Sequence, residues 1–281
     1  MLFLHRVAIS APLAVACYSS NLPQSWNEQT KHSRKTATRT NVAGRGLSRL
    51  EQRVTRANLA HDLAAGLAGW LQLQAAQRLA GLSGEDSARL IAAQIVNAQG
   101  KYAPATSQLP SNWGSTKKRV DIALKGRSAG AQVWYGAIEI KWPGIAFDVG
   151  KTREQIVQDA MRLTFISTSL LNAHFLVLGG SLASMKRLFD EPHPNASKQE
   201  KRRKFFKRLF SRNLKKPLSE ASYDEWSKFF PQAGARIPKG IFGNFQGKLK
   251  TELLDRVTTK AGDTRGRVYV WQCNRTRGPA I

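Results

Sequence analysis

The sequence predicts an α/β domain in which a mixed central β-sheet is flanked by helices and preceded by a helical region. Three observations support this fold class. Apolar residues recur at three- to four-residue steps over residues 47–82, which is typical of helices. Residues 119–142 contain two runs of β-branched and aromatic residues with glycines between them, which indicates a β-hairpin. A helical pattern, a short apolar run and another helical pattern follow over residues 151–189, as in layered α/β domains.

The first part of this domain is predicted to be helical. Gly66 and Gly69 weaken the middle of the pattern over residues 47–82, so two helices and one bent helix are equally compatible with it. The next helix is expected to begin at Ser83, whose hydroxyl can cap it, and to end near Gly100.

The remaining elements are predicted from turn residues and periodicity. A loop is expected over residues 101–118, where Pro104, Pro110 and Gly114 interrupt regular structure. The rest of the chain predicts hairpin strands over 119–124 and 133–142, a helix over 151–171, a buried strand over 174–178, a helix over 181–189, irregular structure over 218–250 and a last strand over 265–273.

Composition divides the chain into two parts. Residues 1–46 are polar, basic and rich in Ser, Thr and Asn, and are expected to form a flexible tail. Residues 47–281 are expected to fold, since 42% of all residues in the chain are hydrophobic. Within them, residues 47–82 form the helical N-terminal part and residues 191–217 a basic insertion.

Several features of the sequence concern where in the cell the protein is located. No apolar run reaches the ~18 residues that cross a bilayer, so no membrane association is expected. The first residues carry a weak signal-peptide pattern, and a poorly ordered tail is the alternative interpretation. Cys17 and Cys273 are far apart in sequence and do not suggest a disulfide framework, which favours a reducing, cytoplasmic location.

The chain is strongly basic. It contains 44 Lys and Arg against 19 Asp and Glu, a formal net charge of +25. A protein with this excess repels itself unless an anionic partner is near, and nucleic acid is the most common such partner because bound phosphates release counterions. An anionic membrane surface, a ribosome-like scaffold and simple solubility are the other interpretations of the charge.

Three polar residues of the predicted hairpin form a candidate catalytic site. Glu139 and Lys141 are two positions apart on one strand, so their side chains share a face of the sheet. Asp121 lies on the preceding strand, and hairpin pairing can place it beside Glu139. Two carboxylates offer the hard oxygen ligands that Mg²⁺ prefers, and a neighbouring lysine can stabilise negative charge that develops on a phosphate.

The pattern D-x17-E-x-K on a hairpin, followed by a helix, a short apolar strand and a helix, resembles the PD-(D/E)XK nuclease superfamily over residues 85–190. The resemblance implies a restriction-endonuclease-like fold and an Mg²⁺- or Mn²⁺-dependent endonuclease that cleaves DNA or, in some members, RNA. It implies metal-binding roles for Asp121 and Glu139 and a catalytic role for Lys141. The proline of the family motif is replaced by Val120, a position that varies in the family.

The resemblance also suggests an acidic residue on the helix before the hairpin. Glu85 is the candidate third metal ligand here, and Asp86 is an equally local rival. Acidic side chains in the first turn of a helix also stabilise it by interacting with the helix dipole, so a purely structural role is an equal alternative for both residues.

Some family members carry a supporting glutamine on the helix that follows the E-x-K strand. Gln155 and Gln158 are the candidates, and Asp159 and Arg162 lie nearby. A solvated helix face is the alternative interpretation of these polar residues.

The predicted insertion contains a dense basic stretch with aromatic residues between the charges. Its aromatic and leucine side chains can stack on bases or form the buried face of an amphipathic helix, and the second interpretation is favoured. The basic side chains are expected to contact the nucleic-acid backbone, and the residues proposed for this role are Lys201, Arg202, Arg203, Lys204, Lys207 and Arg208.

Three classes of function fit these patterns. The first is a metal-dependent endonuclease acting on nucleic acid, with double-stranded DNA as the expected substrate, in restriction or antiviral defence. The second is a noncatalytic nucleic-acid-binding protein that retains the nuclease fold. The third is a basic scaffold. A scaffold role does not explain why charged residues of the predicted hairpin lie between apolar neighbours. Double-strand cleavage with one active site per chain would favour a homodimer, and an activating protein partner is a further option.

Overall fold

The computed structural model describes residues 49–79, 84–100, 103–108, 119–128, 131–144, 146–166, 173–191, 196–231, 248–261 and 264–276. Their helices are α1 (Arg49–Ala76), α2 (Glu85–Ala98), α3 (Val149–Ile166), α4 (Leu182–Asp190), α5 (Ala196–Leu209) and α6 (Tyr223–Phe229). Their strands are β1 (Ala103–Gln108), β2 (Arg119–Ser128), β3 (Ala131–Lys141), β4 (Ala173–Ser181), β5 (Leu218–Ser222), β6 (Lys248–Ala261) and β7 (Thr264–Thr276).

The strands form one seven-stranded sheet in the order β1-β2-β3-β4-β7-β6-β5. Only the central pair β3–β4 is parallel among these neighbours, and the other pairs are antiparallel. The predicted α/β class with a mixed central sheet flanked by helices is therefore confirmed. Parallel strands need a crossover connection, and α3 lies in the chain between β3 and β4.

Helices cover both faces of the sheet and bury two apolar clusters. The first cluster joins α1 and α2 to side chains such as Ile138 and Ile140 of β3. The second joins α3, α4, α5 and α6 to side chains of β4 and β7, including Leu176 and Tyr269. Successive residues of β3 thus alternate between the two layers, as expected for a strand buried on both faces.

Glycine permits the close approach of β3 and β4 at one end of their pairing. Gly136 is paired with Ala173, and a Cβ atom on Gly136 would lie 1.9 Å from the carbonyl oxygen of Ala173. No side chain fits at that distance, so the parallel pair requires glycine at this position.

The predicted elements around the hairpin agree with the structure to within a few residues. The hairpin, the following helix, the buried strand and the next helix correspond to β2–β3, α3, β4 and α4. Ser181 caps α4, since its hydroxyl accepts a hydrogen bond from the Ser184 N–H at 3.0 Å. The helix predicted to begin at Ser83 begins at Glu85 with Gly84 as its N-cap, and Ser83 lies outside the described residues.

Three predictions about structure were incomplete or wrong. The N-terminal helical pattern forms the single helix α1, although two helices were an equal alternative. The expected loop over residues 101–118 contains β1, which includes Pro104 and lies at the sheet edge, where a missing N–H is tolerated. The expected irregular region over residues 218–250 contains β5, α6 and the start of β6.

The described residues lie in the unit Leu47–Ile281. The predicted flexible tail at residues 1–46 falls outside them, as does Cys17, whereas Cys273 is a buried free thiol. Among the described helices, none is long and apolar enough to cross a membrane.

Candidate active site

The register of β2 and β3 brings two of the predicted carboxylates together. Ile122 is paired with Ile138, and this antiparallel register places Asp121 next to Glu139. The backbone N–H of Ile140 donates a hydrogen bond to Oδ2 of Asp121 at 2.8 Å, which fixes that carboxylate against β3. The predicted shared face of Glu139 and Lys141 is also observed, because Ile138, Ile140 and Trp142 all contact the opposite layer.

Glu139 is a buried carboxyl group, with 1% of the residue exposed. Its Oε1 lies 3.0 Å from Nη2 of Arg162, which extends from α3. Burial raises the pKa of Glu139 well above its ordinary range, the charge of Asp159 adds to this effect, and the Arg162 guanidinium opposes it. Burial of the Glu139 carboxyl therefore opposes its negative charge, and the nearby Arg162 guanidinium offsets part of that cost.

Lys141 lies between two acidic side chains from different helices. Its Nζ is 3.3 Å from Oε1 of Glu85 on α2 and 3.1 Å from Oδ2 of Asp159 on α3. Burial alone would lower the pKa of Lys141, but the charges of Asp159 and Glu85 outweigh burial and raise it above its ordinary range. The ammonium group is consequently charged at neutral pH and fixed in position.

Arg89 on α2 connects the first-turn acids to the hairpin. Its Nε lies 2.8 Å from Oδ1 of Asp121, its Nη1 lies 2.6 Å from Asp86, and its Nη2 contacts Oε1 of Glu85. Of the two acidic candidates on this helix, Glu85 contacts Lys141 directly, whereas the Asp86 side chain is 95% exposed. The structure therefore places Glu85 within the site and Asp86 at its edge.

Helix α3 supplies different residues from those proposed for it. Asp159 contacts Lys141 and Arg162, and Arg162 contacts Glu139. Gln155 and Gln158 are half-buried on the same helix and take no part in the described contacts of the site. The sequence prediction places Asp159 and Arg162 near the glutamines without a role, and it does not include Arg89. The signal for Arg89 was its position four residues after Glu85, which places both on one helix face.

These contacts form an alternating network of charges. The acidic members are Glu85, Asp121, Glu139 and Asp159, and the basic members are Arg89, Lys141 and Arg162. The network joins α2, β2, β3 and α3 at one end of the parallel pair, and it is called the charged cluster below. Ionic groups buried to this extent cost several kcal/mol of desolvation each, so the fold retains the cluster against that penalty.

Two carboxylates of the charged cluster are of the chemical type that binds a hard divalent cation. Asp121 and Glu139 are adjacent carboxylates, and Oε1 of Glu139 is buried and accepts no hydrogen bond. Mg²⁺ is commonly bound by one or two carboxylates and keeps several waters, so two such residues suffice for it. Across the part of the chain that the structure describes, no group of three or more His, Cys, Asp or Glu side chains is arranged to hold a metal ion.

The basic stretch of the predicted insertion forms α5. Its apolar side chains are buried in the second cluster, as the amphipathic interpretation predicted: Phe205, Phe206, Leu209 and Phe210. Three of its basic side chains are paired with acids of the protein itself, namely Arg203 with Glu200, Lys207 with Asp190 and Arg208 with Glu225. Arg202 is half-buried, with its guanidinium 6.0 Å from the centre of the Phe230 ring.

Lys201 and Lys204 are exposed lysines of α5. Nζ of Lys204 lies 4.0 Å from Oε1 of Glu200, which already pairs with Arg203. Of the six basic residues proposed to contact nucleic acid, these two are the most available to a phosphate backbone, whereas the paired side chains would first have to leave their partners.

Comparison with known proteins adds no relative. No protein-family model, no curated protein and no solved structure matches the chain. The resemblance to PD-(D/E)XK nucleases consequently rests on the sequence motif and on the order of predicted elements over residues 85–190.

Proposed function

We propose that this chain is a metal-dependent nuclease that hydrolyses phosphodiester bonds in nucleic acid, with DNA as the expected substrate. The observation that supports it best is the juxtaposition of Asp121 and Glu139 on paired strands, with Lys141 on the same face of β3 as Glu139. A restriction-endonuclease-like fold is part of this proposal, as are a cytoplasmic location and a role in restriction or antiviral defence.

The side chains of the site would have different roles in hydrolysis. Asp121 and Glu139 would hold Mg²⁺ or Mn²⁺, which supplies charge neutralisation at the phosphate and lowers the pKa of a bound water. Lys141 is charged and fixed between Glu85 and Asp159, so it can donate hydrogen bonds to the attacking water or to a phosphate oxygen. Hydrolysis forms a bond from the water oxygen to phosphorus, breaks one ester bond and returns a proton to the leaving oxygen.

Substrate binding follows from charge. The net charge of +25 favours association with a polyanion. Lys201 and Lys204 project from α5 and would contact the phosphate backbone, which positions nucleic acid without reading its sequence. Double-strand cleavage by a protein with one such site per chain would require a homodimer or two successive binding events.

A plasmid cleavage assay with Mg²⁺ or Mn²⁺ tests this function. We expect the wild type to nick or linearise plasmid DNA, and Glu139→Ala and Lys141→Ala to lose at least about a hundredfold in rate, as removal of a group that stabilises transition-state charge commonly does. Lys151→Ala is the matched control, because Lys151 is an exposed lysine at the start of α3. Absence of cleavage of DNA and RNA by the wild type with either metal would refute the proposal.

A noncatalytic nucleic-acid-binding protein is the second candidate. It is favoured by one observation, namely that Arg162 and Arg89 already neutralise Glu139 and Asp121 in the structure. This candidate predicts that the wild type retards labelled DNA in a gel without cutting it, and that Glu139→Ala binds DNA as tightly as the wild type.

A further inference from the structure

Each of the two proposed metal-ligand carboxylates has an arginine of its own. Nε of Arg89 lies 2.8 Å from Oδ1 of Asp121, and Nη2 of Arg162 lies 3.0 Å from Oε1 of Glu139. A guanidinium and a divalent cation neutralise a carboxylate through the same oxygen lone pairs. The arginines and a metal ion would therefore compete for the same atoms.

Burial explains why the arginines are needed in the absence of metal. Glu139 lies between Ile138 and Ile140 of a central strand and is almost completely buried. An uncompensated carboxylate in such a place is strongly destabilising. The Arg162 guanidinium supplies the compensating charge across the layer from α3, and Arg89 does the same for Asp121 from α2.

Each contact is close without being a hydrogen bond. Oε1 of Glu139 accepts no hydrogen bond, and Nε of Arg89 donates none, although both atoms lie within ion-pair distance of their partners. Attraction between charges therefore dominates both contacts. Such a contact can be broken without the loss of a well-aligned hydrogen bond.

Each arginine also contacts at least one acidic residue that lies on a helix rather than on the hairpin. Arg162 contacts Asp159, and Arg89 contacts Glu85 and Asp86. An arginine that leaves Glu139 or Asp121 would remain paired, so the exchange would not create an unpaired buried charge. The network therefore allows each hairpin carboxylate to exchange its arginine for a metal ion.

We propose that Arg162 and Arg89 are resident counter-ions of the metal site, which occupy Glu139 and Asp121 until a divalent cation displaces them and so determine how tightly the site binds metal. This inference rests on the proposed function, because it concerns the same two carboxylates. Their positive charges weaken metal binding and stabilise the metal-free fold. Removal of one arginine should therefore tighten metal binding and make the fold more dependent on metal.

The experiment compares Arg162→Met with the wild type by electron paramagnetic resonance of Mn²⁺ alone and by thermal unfolding in EDTA and in Mn²⁺. Removing a unit charge a few ångströms from a divalent ion changes its affinity by at least about tenfold, even with water-like screening. We expect the Mn²⁺ dissociation constant of Arg162→Met to fall by about tenfold or more. Its unfolding midpoint should be below that of the wild type in EDTA and should rise more on addition of Mn²⁺.

Arg203→Met is the matched control. Arg203 pairs with an acid three residues earlier on its own helix, as Arg162 does, and its side chain is 18% exposed against 17% for Arg162. Its Mn²⁺ affinity should stay within about twofold of the wild type, since the described partners of Arg203 are Glu200 and the Asp190 carbonyl and include no member of the charged cluster. Glu139→Gln removes the ligand charge and should weaken Mn²⁺ binding in the wild-type and Arg162→Met backgrounds alike.

The outcomes separate this inference from the function on which it rests. Equal or weaker Mn²⁺ binding by Arg162→Met, alongside binding by the wild type, would overturn the inference and leave the metal site intact. Absence of Mn²⁺ binding in every protein would overturn both. If Arg162→Met does not fold even with Mn²⁺, Arg89→Met decides by the same criterion, because its side chain is 34% exposed and its removal perturbs the core less.

Discussion

The Nζ atom of Lys141 at the end of β3 lies 3.1 Å from Oδ2 of Asp159 on α3. This contact ties the strand that carries the proposed catalytic residues to the crossover helix. It gives the lysine a fixed position, since Glu85 holds it from the other side at 3.3 Å. Both the stability of the domain and the activity of the site should depend on it.

Asp159→Asn is expected to lower both stability and activity. The change removes a buried negative charge that contacts both Lys141 and Arg162. Removing one member of a buried ion pair lowers the free energy of unfolding by about 3–5 kcal/mol. Urea denaturation measures the loss, and plasmid cleavage below the unfolding range measures activity. Glu220→Gln is the control, because Glu220 is an exposed partner of Lys248 at 3.9 Å and its loss should change stability by less than about 0.5 kcal/mol.

His174 is expected to make stability fall in mild acid. Burial lowers the pKa of this residue from 6.5 to about 3, and neither ring nitrogen has a hydrogen-bond partner. Between these two values the unfolded chain binds a proton that the folded chain does not. Stability therefore decreases as the pH falls from about 6.5 towards 3, by up to about 1.4 kcal/mol per pH unit.

A His174→Leu variant tests this prediction by difference. It cannot take up the proton in either state, so its stability relative to the wild type should rise steadily from pH 6.5 to pH 4. Denaturant unfolding at several pH values provides the measurement, and other titrating groups cancel in the comparison. A constant difference across this range would show that folding does not lower the pKa of His174.

Gly136→Ala and Gly69→Ala are expected to have opposite effects. A Cβ on Gly136 would collide with the Ala173 carbonyl, so the β3–β4 pair must move apart at a cost of at least about 1–3 kcal/mol. Gly69 lies on the exposed side of α1, where an added Cβ would have no neighbour within 4 Å, so alanine should stabilise the helix by about 0.5–1 kcal/mol. Thermal unfolding midpoints of the two variants should move in opposite directions.

Removal of the exposed lysines Lys201 and Lys204 should weaken nucleic-acid binding. Lys201→Ala combined with Lys204→Ala should reduce the affinity for DNA and lower the slope of log K against log [salt] by about 2, one unit for each phosphate that is no longer neutralised. Arg203→Ala is the comparison, because Arg203 is paired with Glu200 in the free protein. A reduction of about 1 in the salt slope for Arg203→Ala would mean that this ion pair opens on binding.

The hairpin and the positions of Glu139 and Lys141 could be predicted because they depend on local alternation. Side chains on a strand change face at every residue, so the shared face followed from spacing alone. Asp121 could be placed beside Glu139 only by assuming the register that the structure has. The family-level fold and the nuclease activity remain proposals, since they require more than the arrangement of these elements.

The helical part of the site could not be predicted in the same way. Arg89, Asp159 and Arg162 reach the strands only through the packing of α2 and α3, which no local pattern specifies. The expected glutamine lies on the correct helix, but Asp159 and Arg162 make the contacts instead of Gln155 or Gln158. Strand β6, which was not predicted, has an alternating pattern, because Leu249, Thr251 and Leu253 are buried. The charged residues Lys250 and Glu252 between them made this pattern hard to recognise as a strand.

The parallel pairing of β3 and β4 also constrains the order in which the site can be completed. A chain whose synthesis has reached only the end of β3 already contains Asp121, Glu139 and Lys141, but it lacks the crossover helix that supplies Asp159 and Arg162. Without these residues the carboxylates of the hairpin have no counter-charge from α3, and their burial is unfavourable. Nascent or truncated chains should therefore leave the hairpin open to water, so that maturation of the site is coupled to closure of the sheet.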